Sequence, residues 1–210
     1  MKTTIKLIAV FILAVATLGQ PTAASTGGGS AFRFKGLSAN AYFSSADPSG
    51  CIYTDVSVFA SEQIVSAQPG MGTPSSGASI FISQYDACTG TQLLSADGYI
   101  PLADPDLQIS RKLDSASLNT TINMFDYISN NTFDVTVNLN WAAVSSSGRQ
   151  VSHFNYQFSG CKISSHLNST FRYAEVTGSV SDGITNFTPT APVDATLSNV
   201  KSGDHSTGCS

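Results

Sequence analysis

The sequence predicts an all-β protein: an antiparallel β-sandwich of about nine or ten strands, with a closed β-barrel as the alternative. Three observations point there. Apolar and polar residues alternate with a period of two over long stretches of the second half. Gly, Pro, Asn, Asp and Ser clusters break the chain at short intervals. No helix-length segment places apolar residues at a 3.6-residue spacing.

The elements follow in order. Lys2 and Lys6 precede an apolar run, Leu7 to Leu18, and the small residues Thr22, Ala23 and Ala24 follow Pro21. This is the three-part pattern of a secretory signal peptide, 1–24, with cleavage after Ala24. The run is shorter than the roughly 20 apolar residues of a membrane span, and no later segment supplies one. The expected location is therefore secreted, extracellular or periplasmic. Residues 25–30 (STGGGS) read as a flexible lead-in, residues 31–200 as a single all-β domain, and residues 201–210 as a polar C-terminal tail that is frayed unless Cys209 ties it down.

Charge excludes some partners. Only 11% of residues are charged, against about 25% in an average domain. Removing Lys2 and Lys6 from the ten basic residues leaves eight against fourteen acidic, a net charge of −6. That sign argues against nucleic acid and against anionic membrane surfaces.

Cys51, Cys88, Cys161 and Cys209 all follow the signal. In an oxidising compartment they read as two disulfides, and four cysteines allow three connectivities. The pairs Cys51–Cys88 and Cys161–Cys209 keep each bridge within its own half of the chain. There is no CxxC, and His153, His166 and His205 are not at zinc-site spacing from the cysteines. Sequons stand at Asn119, Asn130, Asn168 and Asn186.

First-half strands are expected at 32–43, 51–61, 78–86, 91–102 and 107–113, with Gln68 to Gly77 as a long loop and Leu102 to Asp106 as a turn. The triplet Ile80, Phe81, Ile82 is apolar on both faces, which suits a central strand covered on two sides. In the second half, Leu118, Ile122 and Met124 share one face, and so do Phe133, Val135, Val137, Leu139 and Trp141. A two-residue hairpin centred on Asn130-Asn131 would set Ile128 opposite Phe133 and Met124 opposite Val137, with both apolar faces on one side. A loop through Ser145 to Gly148 would then bring Phe154, Tyr156 and Phe158 beside Val137, Leu139 and Trp141. A turn at Ser159-Gly160 would bring Ile163 opposite Tyr156. Residues 116–173 thus read as a four-stranded meander. Asp182-Gly183 marks a further turn, and Val193, Ala195 and Leu197 a last strand.

Candidate chemistry is sparse. His153 falls beside Asn155 and Gln157 on the polar side of its strand, without a partner for acid–base work. There is no GxSxG. Glu62 and Glu175 are the only glutamates, and most aspartates sit in turns, where turn formation explains them. Asp104 and Asp106 could offer oxygen ligands to calcium, without an EF-hand pattern. Asp126 falls on the apolar face of its strand, so it needs a backbone donor, a place at the sheet rim or a partner such as Arg172. Phe125 and Tyr127 project on an otherwise polar face, as does Tyr42 or Phe43 according to register. These aromatics are the candidate binding face. Trp141 reads as core. No catalytic, cofactor-binding or metal-binding residue is assigned.

The segments Asp47 to Ser61 (DPSGCIYTDVSVFAS) and Tyr85 to Gly90 (YDACTG) resemble a pattern in uncharacterised secreted bacterial proteins. The similarity extends through Pro101–Lys112 and Phe187–Thr188. The resemblance implies a bacterial origin and pairing of Cys51 with Cys88, and it carries no activity.

The expected function is that of a secreted, non-catalytic β-domain engaged in extracellular binding, with carbohydrate or an extracellular protein as partner. An extracellular hydrolase and a structural envelope or matrix protein are the alternatives.

Overall fold

The computed structural model describes residues 30–68, 71–103, 106–158, 160–189 and 193–207, and these described residues hold eleven antiparallel strands and no helix. The signal peptide 1–24, residues 25–29 of the lead-in, Asp104 of the calcium candidate and Cys209 lie outside the described residues. The strands are β1 (Ser30–Ala46), β2 (Ile52–Gln68), β3 (Met71–Asp86), β4 (Thr91–Pro101), β5 (Leu107–Ile109), β6 (Ser115–Asp126), β7 (Asn131–Ala143), β8 (Gly148–Phe158), β9 (Cys161–Ser181), β10 (Asn186–Phe187) and β11 (Asp194–Thr207). They form one sheet. Within it β1, β2, β3, β4, β6, β7, β9 and β11 pair in succession, and β11 returns to β1, which makes a ring of eight. The thinnest seam joins β4 to β6 through two residue pairs, Ala96 with Asp126 and Asp97 with Phe125.

Alternation explains the core. Phe43, Val56, Val58, Ile82, Leu118, Ile122, Val137, Leu139 and Leu197 turn inward and are almost wholly buried, each contributing about 1.5–3 kcal/mol by leaving water. Trp141 is buried among them, as expected. Its indole N–H donates to the Asn40 carbonyl at 2.7 Å and links β7 to β1. Gly98 turns inward at the seam, where a Cβ would stand 2.7 Å from the Asn123 carbonyl oxygen and 2.8 Å from Ile122. The missing side chain is what lets β4 approach β6 there.

Several expectations are corrected. The expected loop from Gln68 to Gly77 is largely strand, since β3 already starts at Met71 and pairs back along β2, while Pro69 and Gly70 lie outside the described residues. Pro74 fits that strand because β4 pairs only from Gly77 onward, leaving the Pro74 side of the ladder open. The β6–β7 hairpin closes at Asp126–Asn131 with a four-residue loop, so Met124 faces Phe133 and Ile122 faces Val135. Each partner is thus four residues from the expected one, an even shift that keeps both apolar faces on the same side. Asn130 takes a positive φ of 57° at the end of that loop, and Ile128 is exposed. β5 is three residues long, because the chain turns at Ser110–Asp114 with Leu113 at a φ of 58°. The tail is not frayed at its start: Lys201–Thr207 belong to β11.

The four-stranded meander is also corrected. β9 pairs with β8 through residues 161–171 and with β7 through residues 174–181, on the same edge. β8 therefore does not pair with β7. Tyr156 does face Ile163, as expected, but Phe154 is 60% exposed and does not join Trp141. The Phe158 side chain lies outside the described set. The physical cause is strand length. β1, β2, β3, β9 and β11 run to 17, 17, 16, 21 and 14 residues, far beyond the usual five or six. Their excess projects from the ring as a wing ordered β8–β9–β11–β1–β2–β3.

Candidate functional site

The outer face of the ring carries the candidate binding residues. Tyr42, Ser57, Phe81, Asp97 and Phe125 are register partners across β1, β2, β3, β4 and β6, so they project on one side in a continuous row. Neighbouring strands are about 4.8 Å apart. Tyr42 is exposed and Phe43 is buried, which settles the register left open by the sequence. Phe81 also points out and is 40% exposed. The Ile80–Phe81–Ile82 strand is thus covered on one side only, contrary to expectation.

Phe125 and Tyr127 lie together at the end of this row, 38% and 55% exposed. Their rings meet edge to face with centroids 5.1 Å apart. The Tyr127 hydroxyl donates to Asp97 at 2.8 Å, and that hydrogen bond, with the charge of Asp97, raises the phenol above its usual range. Tyr42 donates to Asp55 at 2.8 Å and is pushed up to about 12, chiefly by burial of part of its hydroxyl and then by Asp55. Each tyrosine is therefore tethered to a carboxylate and stays a neutral phenol. Tyr99 is exposed on the same side and lies across Gly77, where a Cβ would stand 2.5 Å from its hydroxyl.

Asp126 supports this presentation. It is buried at the ring's rim and accepts hydrogen bonds from the amides of Ser95 at 3.3 Å, Ile128 at 3.0 Å and Ser129 at 3.2 Å, and from the Ser129 hydroxyl at 2.5 Å. Desolvation works against its charge, but the combined hydrogen bonds outweigh it and hold the carboxyl below the ordinary range. The partner is the turn backbone. Arg172 instead pairs with Asp114 and donates to the Ser145 carbonyl at 2.8 Å.

The motifs that carry the sequence resemblance form a structural clasp. Asp47 accepts from the amides of Cys51 and Ile52 at 3.0 and 2.9 Å, and Asp86 from those of Cys88 and Thr89 at 2.8 and 3.1 Å. Between the two turns Cys51 and Cys88 form a disulfide, Cα atoms 5.3 Å apart. Cys51, Asp86 and Cys88 are close enough to suggest a metal, but sulfurs bonded to each other offer no thiolate. Cys161 is also disulfide-bonded.

The remaining candidates do not assemble into a catalytic group. His153 is exposed on the wing directly opposite His166. Among the described residues no histidine hydrogen-bonds to a serine or an aspartate. A depression of about 500 Å³ lies beside Trp141, lined by Gln108, Ser110, Ser117 and Asn140 with no acidic or basic side chain. The sequence pointed to Phe125 and Tyr127 but missed Phe81. The missed signal was the alternation itself: with Ile80 and Ile82 inside, Phe81 must face out.

No family model matches the chain, and no curated protein matches it. Several solved structures show distant similarity, among them the following two. One is an AttH-like protein of Nitrosomonas europaea, at 8% identity and a TM-score of 0.27, covering 87% of this chain. This chain spans about half of that one, 52%. The other is an acetoacetate decarboxylase-like enzyme of Sphingomonas wittichii RW1, at 9% identity and a TM-score of 0.23, covering 91% of this chain and 96% of that one.

Proposed function

We propose that this chain is a secreted, non-catalytic binding domain whose outer aromatic face stacks on carbohydrate. The observation that carries this reading is the row from Tyr42 to Phe125, extended by Tyr127: rigid, exposed rings, two of them tethered to carboxylates. Aromatic faces cover the apolar C–H faces of sugars, and carboxylates accept hydrogen bonds from sugar hydroxyls. A clasp stabilised by a disulfide, and the absence of any helix long and apolar enough to cross a membrane among the described residues, are compatible with an extracellular or periplasmic site of action. A glycan array probed with the purified chain tests the proposal. Binding should appear for neutral glycans and fall at least tenfold in F125A/Y127A. An array silent for the parent chain, or binding untouched by that double substitution, would refute it.

A further inference from the structure

The wing segregates charge in a way that its fold does not require. On β9, β11 and β1, one side of the strands faces the ring's core at Ala174, Leu197 and Ala39. Followed outward along the strands, that same side turns basic. Arg149 of β8 comes first, then Lys201 of β11 beside Lys35 of β1, then Arg33, and Lys162 near the tip. These are five of the chain's ten Lys and Arg residues, and all are exposed. His153, His166 and His205, the chain's three histidines, share the side. Of the fourteen acidic residues only Glu62 projects there among the described residues, level with Arg149. Asp204 alternates to the opposite side, and Asp114 is held by Arg172 at the inner boundary.

Lys35 and Lys201 are direct cross-strand partners. Like charges in that position destabilise a sheet, and neither lysine has an ion-pair partner among the described residues. The neighbouring groups are arranged around them. Arg149 donates to Asn168 at 3.1 Å, which sets its head beside Lys201. The His166 ring lies across Gly203, where a Cβ would stand 2.5 Å from Cε1. From the level of Arg149 to that of Lys162 the stripe is about 27 Å long, eight residues at about 3.4 Å each. It ends in a shallow depression of about 490 Å³ whose lining includes Lys162, His205, Asn155 and Gln157.

We infer that this basic side of the wing is a second binding site, for a linear acidic polysaccharide bearing carboxylate or sulfate groups. The unpaired cations match a repeating anion, and the interleaved Asn155, Gln157, Asn168 and Thr170 suit sugar hydroxyls. Single-stranded nucleic acid would need a run of aromatic rings along the basic track, whereas among the described residues only Tyr156 reaches it, in the lining of the depression at the tip. Exposed Ile64 and Val151 do lie among the charges, but two separate side chains fall short of the continuous apolar face that a bilayer takes up. Phe154, the most exposed aromatic of the wing, alternates to the other side. The inference does not depend on the aromatic face of the ring.

The test uses the full chain with heparin and alginate as sulfated and carboxylated probes, dextran as the neutral control, and single-stranded DNA and anionic phosphatidylglycerol vesicles as competing polyanions. Heparin or alginate should bind at 50 mM salt and release by 500 mM, as counterion release requires. K35S and K201S should each weaken binding at least fivefold while raising the denaturation midpoint, because each relieves the repulsion. K35E/K201E should abolish binding, and F125A/Y127A should leave it unchanged. No binding of either polysaccharide, tighter binding of the DNA or vesicles, or lysine variants that bind normally would overturn the inference. So would lysine variants with a lowered midpoint, since a packing role would explain them.

Discussion

Replacing Asp126 by alanine removes four accepted hydrogen bonds at the turn that presents Tyr127. Hydrogen bonds to a charged group contribute about 1.5–3 kcal/mol each, but the freed amides of Ile128 and Ser129 lie in a solvent-facing turn and regain water. The expected net loss is about 2–4 kcal/mol. Asp126→Asn keeps one acceptor oxygen and should lose about 1–2 kcal/mol. The sign of the pH dependence follows from the lowered carboxyl. A depressed folded value means that the contribution is fully present above the unfolded value near 3.9 and is lost as pH falls through the folded value. The gap between wild type and D126N should thus be constant from pH 5 to 8 and shrink below about pH 4. Urea denaturation read by fluorescence measures all three quantities, because Trp141 is the chain's single tryptophan and is buried in the ring. A D126A variant within about 0.5 kcal/mol of wild type, or a gap that stays the same at pH 3, would refute the reasoning.

Three further outcomes are expected. C51S/C88S should lose about 4 kcal/mol in the chain-entropy treatment, given a separation of 37 residues; a loss under about 1 kcal/mol in calorimetry would show that the Asp47 and Asp86 turns hold the hairpin end unaided. Gly178→Ala should cost about 3 kcal/mol or more, because Gly178 has a φ of 113° and its Cβ would stand 2.0 Å from the Asn138 carbonyl oxygen on β7; a normal melting temperature would contradict the β7–β9 closure. Trp141→Phe should cost about 2–3 kcal/mol through the unpaired Asn40 carbonyl and the space left behind, measured by circular dichroism; a change under about 0.5 kcal/mol would deny that bond a role.

Much of the fold was legible because it is local. Alternation placed Leu118, Ile122, Met124, Val135, Val137, Leu139 and Trp141 on the buried side. The same parity put Phe125 and Tyr127 outside, and the Asp182-Gly183 turn stands where its residues said. The hairpin register was missed because Asp126 builds a four-residue loop, and a shift by four residues, being even, leaves the hydrophobic pattern unchanged. The start of β3, Met71 to Gly77, was missed because Pro and Gly signal a loop, whereas an open ladder edge tolerates both.

The sequence by itself determined that the chain is all-β and which side chains share a side of each strand, since these depend on neighbours a few residues apart; it left three cysteine pairings open, and the structure joined Cys51 to Cys88 across 37 residues. The tertiary structure decided which strand lies beside which, and hence that β8 joins a wing instead of the core. It also decided that one continuous side is apolar inside the ring and basic outside it. A strand's periodicity specifies which residues look the same way, but what they look upon depends on pairings between segments far apart in the chain.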